Sequence, residues 1–224
     1  MDVRKILAKE HTAEQVSALW MAYHAARSQG TGRGYLSATI PLQTYLKMTS
    51  MAVKYPTFLL PLPRPSREAE QVAHEFHFLQ WGFHDVPAHP SQIPSLPFED
   101  RAQTPPTHVE PNPVCSTVLF TPLQEYKLRQ TFAQPYLVLT HYTDLATTHG
   151  IVLMRGEITS TASSTDKYLL SQLDAQLLAF GVQRFYLDSE EEGSEQRGAL
   201  LRMFHEEPDE FQWEALLAIG NPTS

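Results

Sequence analysis

Three side chains in the second half of the chain are of the types that perform general acid/base chemistry. His141 and Asp144 are three residues apart, and Glu157 follows them. A carboxylate within hydrogen-bond reach of an imidazole can orient it as a base, so the set would suit a small hydrolase or transferase. No Gly-x-Ser-x-Gly nucleophile motif accompanies it, and Thr143 with Asp144 is equally explained as a turn or helix cap. Catalysis is therefore a hypothesis that depends on whether the fold brings the three side chains together.

Two other groups of residues resemble ligand sites but lack the context that such sites need. His74, His77, His84 and His89 are close in sequence, yet they straddle a predicted strand and a Pro-rich loop, whereas metal ligands are held at fixed spacing. The segment GTGRG at 30–34 follows a predicted helix and lacks a Gly-Lys-Ser/Thr ending. We therefore expect no metal, no cofactor and no bound nucleotide.

The charge distribution argues against one class of partner. The formal net charge is −8, and residues 1–184 carry 15 charges of each sign. The whole excess lies in 185–214, where ten acidic residues accompany only Arg197 and Arg202. Phosphate contacts need clustered Lys and Arg, so we expect no nucleic acid partner. No apolar stretch approaches the roughly 20 residues that cross a bilayer, so we expect no membrane insertion. The single cysteine, Cys115, excludes an internal disulfide and favours a reducing compartment.

The pattern of apolar residues and breakers predicts the elements that must position these side chains. Thr12 and Gln15 form a capping box before a helix over 12–28, and Pro41 begins a second helix over 41–54. The first helix carries one apolar stripe, Val16, Leu19, Trp20 and Tyr23. Further helices are predicted at 122–130, 166–181, 196–205 and 211–219, and strands at 58–62, 75–81, 114–121, 135–141, 151–158 and 183–187.

These elements predict an α+β fold in a single domain over 1–224. Helices from both chain ends flank a largely antiparallel central sheet of about five or six strands. Segment 82–113 holds eight of the 17 prolines and is predicted to be a long loop. Segment 114–187 supplies most of the sheet and a helix, and 188–224 is an acidic helical segment.

Several strings in this sequence carry a family resemblance. They are WMAYH (20–24), IP (40–41) with Tyr45, YPTFLLPLP (55–63), LFTPLQEYK (119–127), LTHYTDL (139–145) and GIVLMRGEI (150–158). Together they resemble the family of mitochondrial assembly factor 1 for the F1 head of ATP synthase. The resemblance extends from about residue 12 to at least 160 and more faintly through the final helices. Family precursors carry a targeting segment that is missing here, so we expect a mature or truncated form.

The resemblance implies a chaperone rather than an enzyme. A protein of this family would bind the free β subunit of mitochondrial F1-ATPase in the mitochondrial matrix and mask the surface that contacts the α subunit. It would release the β subunit as the F1 head assembles. A partner that covers an exposed apolar surface prevents aggregation by mass action, without hydrolysing ATP.

Candidate contacts with such a client are apolar, aromatic and charged residues in the strings and beside the Pro-rich loop. Trp and Tyr dominate interface energetics, but each aromatic candidate could equally belong to the core. The candidates are Leu59, Leu60, Trp81, Phe83, Tyr126, Tyr142, Asp144 and Arg155. For Asp144 and Arg155 a fold-supporting ion pair is an equal alternative. A generic peptide-binding module that adds a strand at an exposed sheet edge remains a further hypothesis.

The acidic end has two interpretations. It keeps the protein soluble, or it steers a basic patch on the client during encounter. Neutralising Glu190, Glu191, Glu192 and Glu195 should slow association at low salt if steering operates.

Overall fold

A central antiparallel sheet organises the fold in the computed structural model, which describes residue 6 and residues 11–64, 73–87, 111–187 and 194–220. Its strands are β1 (Tyr35–Pro41), β2 (Thr57–Arg64), β3 (Ala73–Phe83), β4 (Ser116–Pro122), β5 (Leu137–Tyr142) and β6 (Ile151–Ile158). Their spatial order is β1-β6-β5-β4-β3-β2, and every neighbouring pair is antiparallel. Two short strands, β7 (Ser160–Thr161) and β8 (Ser164–Tyr168), form a separate ribbon. Strands β1 and β2 are thus the outer strands of the six-stranded sheet.

Helices are described before, within and after the sheet. They are α1 (Ala13–Ala25), α2 (Arg27–Gly30), α3 (Leu42–Lys54), α4 (Leu123–Arg129), α5 (Ala146–His149), α6 (Gln172–Tyr186), α7 (Ser194–Glu206) and α8 (Trp213–Gly220). Short 3-10 turns span Gln130–Phe132 and Pro208–Glu210. None of the described helices is both long and apolar enough to cross a bilayer.

The two faces of the sheet bury different clusters. Side chains alternate between the faces of a strand, and the inner face carries the main core, where Val118, Leu139 and Val152 pack against α3, α6, α7 and α8. On the opposite, outer face, Val16 and Trp20 of α1 pack against residues of β6 and the preceding loop. Full burial of one such apolar side chain contributes about 1.5–3 kcal/mol, so the inner cluster dominates stability.

The α+β prediction is confirmed, with six strands and helices from both ends of the chain. The capping box is also confirmed, because Gln15 N donates to Thr12 Oγ1 at 3.2 Å and Thr12 N donates to Gln15 Oε1 at 3.1 Å. The apolar stripe of the first helix is shifted. Val16, Trp20 and His24 are its buried residues, whereas Leu19 and Tyr23 are exposed.

Two predictions around helix α6 are wrong. Asp166 does not open a helix, because Ser164–Tyr168 is strand β8; Ser171 caps α6 instead, accepting from Asp174 N at 3.0 Å. The strand predicted at 183–187 is the end of the same helix, which continues to Tyr186. Gly181 lies inside α6, and a Cβ there would come within 2.9 Å of Leu60 Cδ1. Glycine therefore lets α6 approach the sheet closely rather than ending the helix.

One strand of the six-stranded sheet was absent from the predictions, as were the two strands of the short ribbon. Tyr35–Pro41 forms β1 along β6, and Pro41 is the residue before α3 rather than its first turn. Most of the Pro-rich segment, 88–110, lies outside the described residues, as do Glu190, Glu191 and Glu192.

Candidate functional site

The proposed acid/base set is not assembled. His141 is buried on the inner face with its Nδ1 3.0 Å from Ser116 Oγ, and its ring stacks on Trp81 at 5.8 Å. Glu157 is on the outer face, where its Oε2 lies 2.9 Å from the Nη2 of Arg155. Asp144 also lines a pocket on that outer side. Because the imidazole and the carboxylates are on opposite sides of the sheet, the three cannot act on one substrate.

His141 instead belongs to a buried polar network. The hydroxyl of Tyr45 lies 2.9 Å from Ser116 Oγ and 2.8 Å from the carbonyl oxygen of Val114. Burial lowers the pKa of His141 to about 4 and raises the pKa of Tyr45 to about 12. A neutral Ser–His pair without solvent access ties two strands and a helix together. It is a structural feature, and the sequence patterns did not reveal it.

Two of the eight candidate contact residues are in the core. Leu60 and Trp81 are 3% and 5% exposed, so neither can contact a client in the folded protein. Phe83 is half-buried and stacks on Trp81 with a centroid distance of 6.2 Å. Leu59 is half-buried on the outer face of β2. The interpretation of Leu60 and Trp81 as contacts is therefore corrected to core packing.

Three exposed apolar side chains lie on or directly after α4, and we call them together the α4 patch: Tyr126, Leu128 and Phe132. Leu128 is 72% exposed and Phe132 is 85% exposed, which is unusual for side chains of this size. The Tyr126 ring packs edge-on against Phe78 of the sheet at 5.8 Å. Tyr126 is therefore the member of the patch that packs on the outer face of the sheet.

The other three candidates, Tyr142, Asp144 and Arg155, meet at one place, which we call the outer pocket. It has a volume of about 240 Å³ and lies between α1 and strands β5 and β6. Its lining residues are Trp20, Tyr23, His24, Arg27, Tyr142, Asp144, Leu145, Leu153 and Arg155. The block with the strongest family resemblance and the first helix thus build this pocket together.

Aromatic rings position the two guanidinium groups of the outer pocket. Arg27 lies over the Tyr35 ring at 4.2 Å and donates to the hydroxyl groups of Tyr35 and Tyr23 at 2.8 and 3.3 Å. Arg155 lies over the Tyr142 ring at 5.5 Å, and its buried Nε has no hydrogen-bond partner in the ranges that the structure describes. Arginine held flat against tyrosine rings is typical of residues that dominate protein interfaces.

Trp20 joins the pocket to the sheet. Its Nε1 donates to the carbonyl oxygen of Met154 at 3.0 Å, and its ring meets Tyr142 edge-on at 5.9 Å. Burial raises the pKa of Tyr142, so this phenol stays protonated. Burial, followed by the positive charges of Arg27 and Arg155, lowers the pKa of His24. The outer pocket therefore combines aromatic surface with cationic groups, and Asp144 is its one lining carboxylate.

Trp20, Tyr23 and Arg27 were missed as site residues. The signal was present, because two of them belong to the predicted helical stripe, but the stripe was interpreted as core. Among the described residues, no group of three or more His, Cys, Asp or Glu side chains could hold a metal ion. His89 of the histidine cluster lies outside them.

Comparison with known proteins identifies the family. A family model described as "ATP11 protein" matches residues 1–217. "Protein atp11, mitochondrial" of Schizosaccharomyces pombe is 34% identical over 210 residues, which are 93% of this chain and 57% of that protein. "ATP synthase mitochondrial F1 complex assembly factor 1" is 29% identical in Homo sapiens, over 95% of this chain and 48% of that protein, and 26% identical in Danio rerio, over 95% and 52%. The chain thus spans about half the length of these curated relatives. The chain belongs to the ATP11 family.

Proposed function

We propose that this protein takes part in assembly of the mitochondrial F1 complex as a chaperone. It binds the free β subunit of F1-ATPase in the mitochondrial matrix, masks the surface that later contacts the α subunit, and releases β as the F1 head forms. It does so without using ATP. The observation that carries the proposal is the family match over residues 1–217, together with relatives named as F1 complex assembly factors.

The surface chemistry supports a binding role. The α4 patch exposes two large apolar side chains that a folded protein normally covers, and the outer pocket is lined by Trp, Tyr and Arg side chains. An apolar surface of a client that is shielded by such a partner cannot associate with other copies. Of the candidate contacts, Leu59, Phe83, Tyr126, Tyr142, Asp144 and Arg155 keep this proposed role.

Co-expression with the isolated β subunit tests the proposal. We expect this protein to increase the fraction of soluble β subunit and to form a complex with it that survives gel filtration. Depleting ATP with apyrase should leave the complex intact. Unchanged aggregation of β together with no complex would exclude the proposed function.

Charge substitutions in the α4 patch make the test specific. Leu128→Glu with Phe132→Glu places two carboxylates in the apolar surface and should lower the recovery of soluble β. Val53→Glu is the matched control, because Val53 is a similarly exposed apolar residue (66%) on a different helix, α3. Equal loss of activity in the patch variant and the control would indicate a general effect of charge and exclude the patch as a contact.

Release is tested by competition. Adding the α subunit to the purified complex should transfer β to α and leave this protein free. The exchange needs an α–β interface that is larger or better matched than the chaperone's interface. A complex that excess α subunit cannot displace would contradict the release step while leaving binding intact.

A further inference from the structure

The free edge of β1 presents unpaired backbone groups in a known order. Ile158 N donates to Gly34 O at 2.9 Å and Leu42 N donates to Gly150 O at 2.8 Å, and the register places the residues of each pair directly opposite each other. In an antiparallel pair, hydrogen-bonded positions alternate with positions whose N–H and C=O groups point away from the partner. The even-numbered residues of β1 therefore bond to β6, and the odd-numbered residues direct their backbone groups to the free edge.

Part of this edge is already capped and part is open. Tyr35 N donates to Gly32 O at 3.2 Å, and Tyr35 O accepts from the side-chain amide of Gln172 at 2.6 Å. The outward N–H and C=O groups of Ser37 and Thr39 have no hydrogen-bond partner in the part of the chain that the structure describes. An amide thus already binds at one end of the edge, and the next two outward positions could bind further peptide groups in the same way.

The first open position, Ser37, lies in a groove of about 640 Å³ that we call the β1 groove, and Thr39 follows it along the same edge without lining the groove. Helix α1 forms one wall and α6 the other, and Ser37 lies on the strand between them. Each wall exposes a large apolar side chain, Met21 (54%) on α1 and Phe180 (48%) on α6. None of the fifteen lining residues is Lys, Arg, Asp or Glu. The groove therefore suits an uncharged segment with apolar side chains, unlike the neighbouring outer pocket with its two arginines.

Buried polar atoms without partners support an occupant. His24 lines the β1 groove and is only 3% exposed, yet neither ring nitrogen has a hydrogen-bond partner among the described residues. The Oγ1 of Thr39, on the open part of the strand, is buried and likewise unpartnered. A buried polar group left unsatisfied destabilises the fold, and a peptide segment bound beside it offers amide groups as hydrogen-bond partners.

We infer that the β1 groove binds an extended, uncharged and partly apolar segment of the client, which adds to the sheet as a strand beside β1 at Ser37 and Thr39. Backbone hydrogen bonds to these two residues provide affinity, and Met21 and Phe180 contact alternate side chains of the segment. The inference rests on the proposed function, because it names the part of this protein that holds the F1 β subunit.

Proline at an outward position tests the inference with a matched control at the same residue. Ser37→Pro removes an N–H that the β1–β6 ladder does not use, whereas Ser37→Ala keeps it. We expect Ser37→Pro to weaken the complex with the F1 β subunit at least about tenfold, since one lost hydrogen bond and a displaced strand exceed 1.4 kcal/mol. Ser37→Ala should bind as the unmodified protein does. Thermal unfolding of both variants shows whether the fold is retained.

A wall substitution keeps the test valid if Ser37→Pro fails to fold. Phe180→Asp places a charge in the neutral groove and should weaken the complex, whereas Leu173→Asp changes a residue of α6 that is also exposed (63%, against 48% for Phe180) but outside the groove lining. Equal binding by Phe180→Asp and Leu173→Asp, or unchanged binding by a folded Ser37→Pro, would overturn the inference and leave the proposed function standing.

Hydrogen exchange of the Ser37 and Thr39 amides identifies the occupant. We expect both amides to exchange rapidly in the free protein and to become protected when the F1 β subunit is bound. Protection in the free protein would mean that another part of this chain, or a second copy in a dimer detected by sedimentation, covers the edge, and would overturn the inference. If the unmodified protein does not bind β at all, the proposed function fails and the inference fails with it.

Discussion

The two outer strands of the sheet, β1 and β2, differ in what their free edges offer to another chain. In β2, Trp81 N donates to Pro56 O at 2.8 Å, so the outward positions are Thr57, Leu59, Pro61 and Pro63. Two of these four are prolines, which have no N–H. The outward carbonyl oxygen of Thr57 accepts from His205 Nε2 at 2.6 Å. Strand β2 is therefore largely closed to strand addition.

The two free edges of this sheet limit strand addition in different ways. Unpaired edges are an aggregation hazard, and proline at outward positions removes it without disturbing the ladder on the other side of the strand. Strand β1 has only one outward proline, Pro41, at its very end. Of its remaining open positions, Ser37 lies between two helices, which limit access to a narrow segment, and Thr39 follows it along the edge. Prolines thus limit strand addition at the β2 edge, and flanking helices limit it at the β1 edge.

The largest expected effect is a difference in stability between substitutions on the two faces of β2. Leu60 is buried against Gly181 in the core, whereas Leu59 is half-buried on the other face. Leu60→Ala should lower the free energy of unfolding by about 2–5 kcal/mol, and Leu59→Ala by about 1 kcal/mol or less. Urea denaturation of both variants measures the difference. Similar losses would contradict the assignment of Leu60 to the core and reopen it as a client contact.

An acid-sensitive group lies beside β2 and gives the second prediction. His77 is opposite Leu60 in the register, and within the described part of the chain no side chain or backbone group lies at hydrogen-bond distance and geometry from its ring nitrogens. Burial lowers its pKa to about 4; among the nearby charges, Glu75 and Asp174 raise the pKa and Arg64 lowers it. Between about pH 6.5 and pH 4 the unfolded chain binds a proton that the folded chain does not. The contribution of His77 to the free energy of unfolding is therefore constant above this range and falls as the pH decreases through it.

The variant His77→Leu isolates this contribution. For a histidine whose pKa is lowered to about 4, the free energy of unfolding falls by about 2 kcal/mol between pH 7 and pH 5. His141 makes a similar contribution. Urea denaturation at pH 7 and pH 5 should show a smaller loss for His77→Leu than for the unmodified protein, because only His141 and weaker groups remain. Identical losses in the two proteins would show that His77 is not the neutral buried base described here.

Sequence patterns were sufficient for the fold class and for elements with local signals. The capping residues Thr12 and Gln15 marked the start of α1, and their interaction needs no distant part of the chain. The start of α6 was different, since both Asp166 and Ser171 can cap a helix. Pairing of β7 with β8 commits Asp166 to a strand, and that choice depends on tertiary contacts.

The site was less predictable, because faces of a sheet follow from register. The block 139–158 was singled out, and Tyr142, Asp144 and Arg155 do meet in the outer pocket. His141 and Trp81, however, lie on the inner face of the sheet because of the register of their strands, and this register depends on which strands pair and at which residues. Strand β1 carried a weak signal, an alternation of Leu36, Ala38 and Ile40 with polar residues over only seven positions. The open edge of β1 could therefore not be predicted before its pairing with β6 was known.

The smallest expected effect sharpens the comparison of the two edges directly. Pro41 is the residue before α3 and makes no side-chain cap, so Pro41→Ser adds an outward N–H to β1 and a hydroxyl that can cap the helix. The added cap and the lost rigidity of proline nearly offset each other, so stability should change by less than about 1 kcal/mol. Affinity for the F1 β subunit should rise about two- to tenfold, the value of one additional hydrogen bond. Pro63→Ser adds an N–H at the corresponding outward position of β2 and serves as the control in the same titration. Because the β1 groove, and not the β2 edge, is the inferred binding site, only Pro41→Ser should tighten the complex; an equal gain with Pro63→Ser would place the client on both edges and remove the distinction between them.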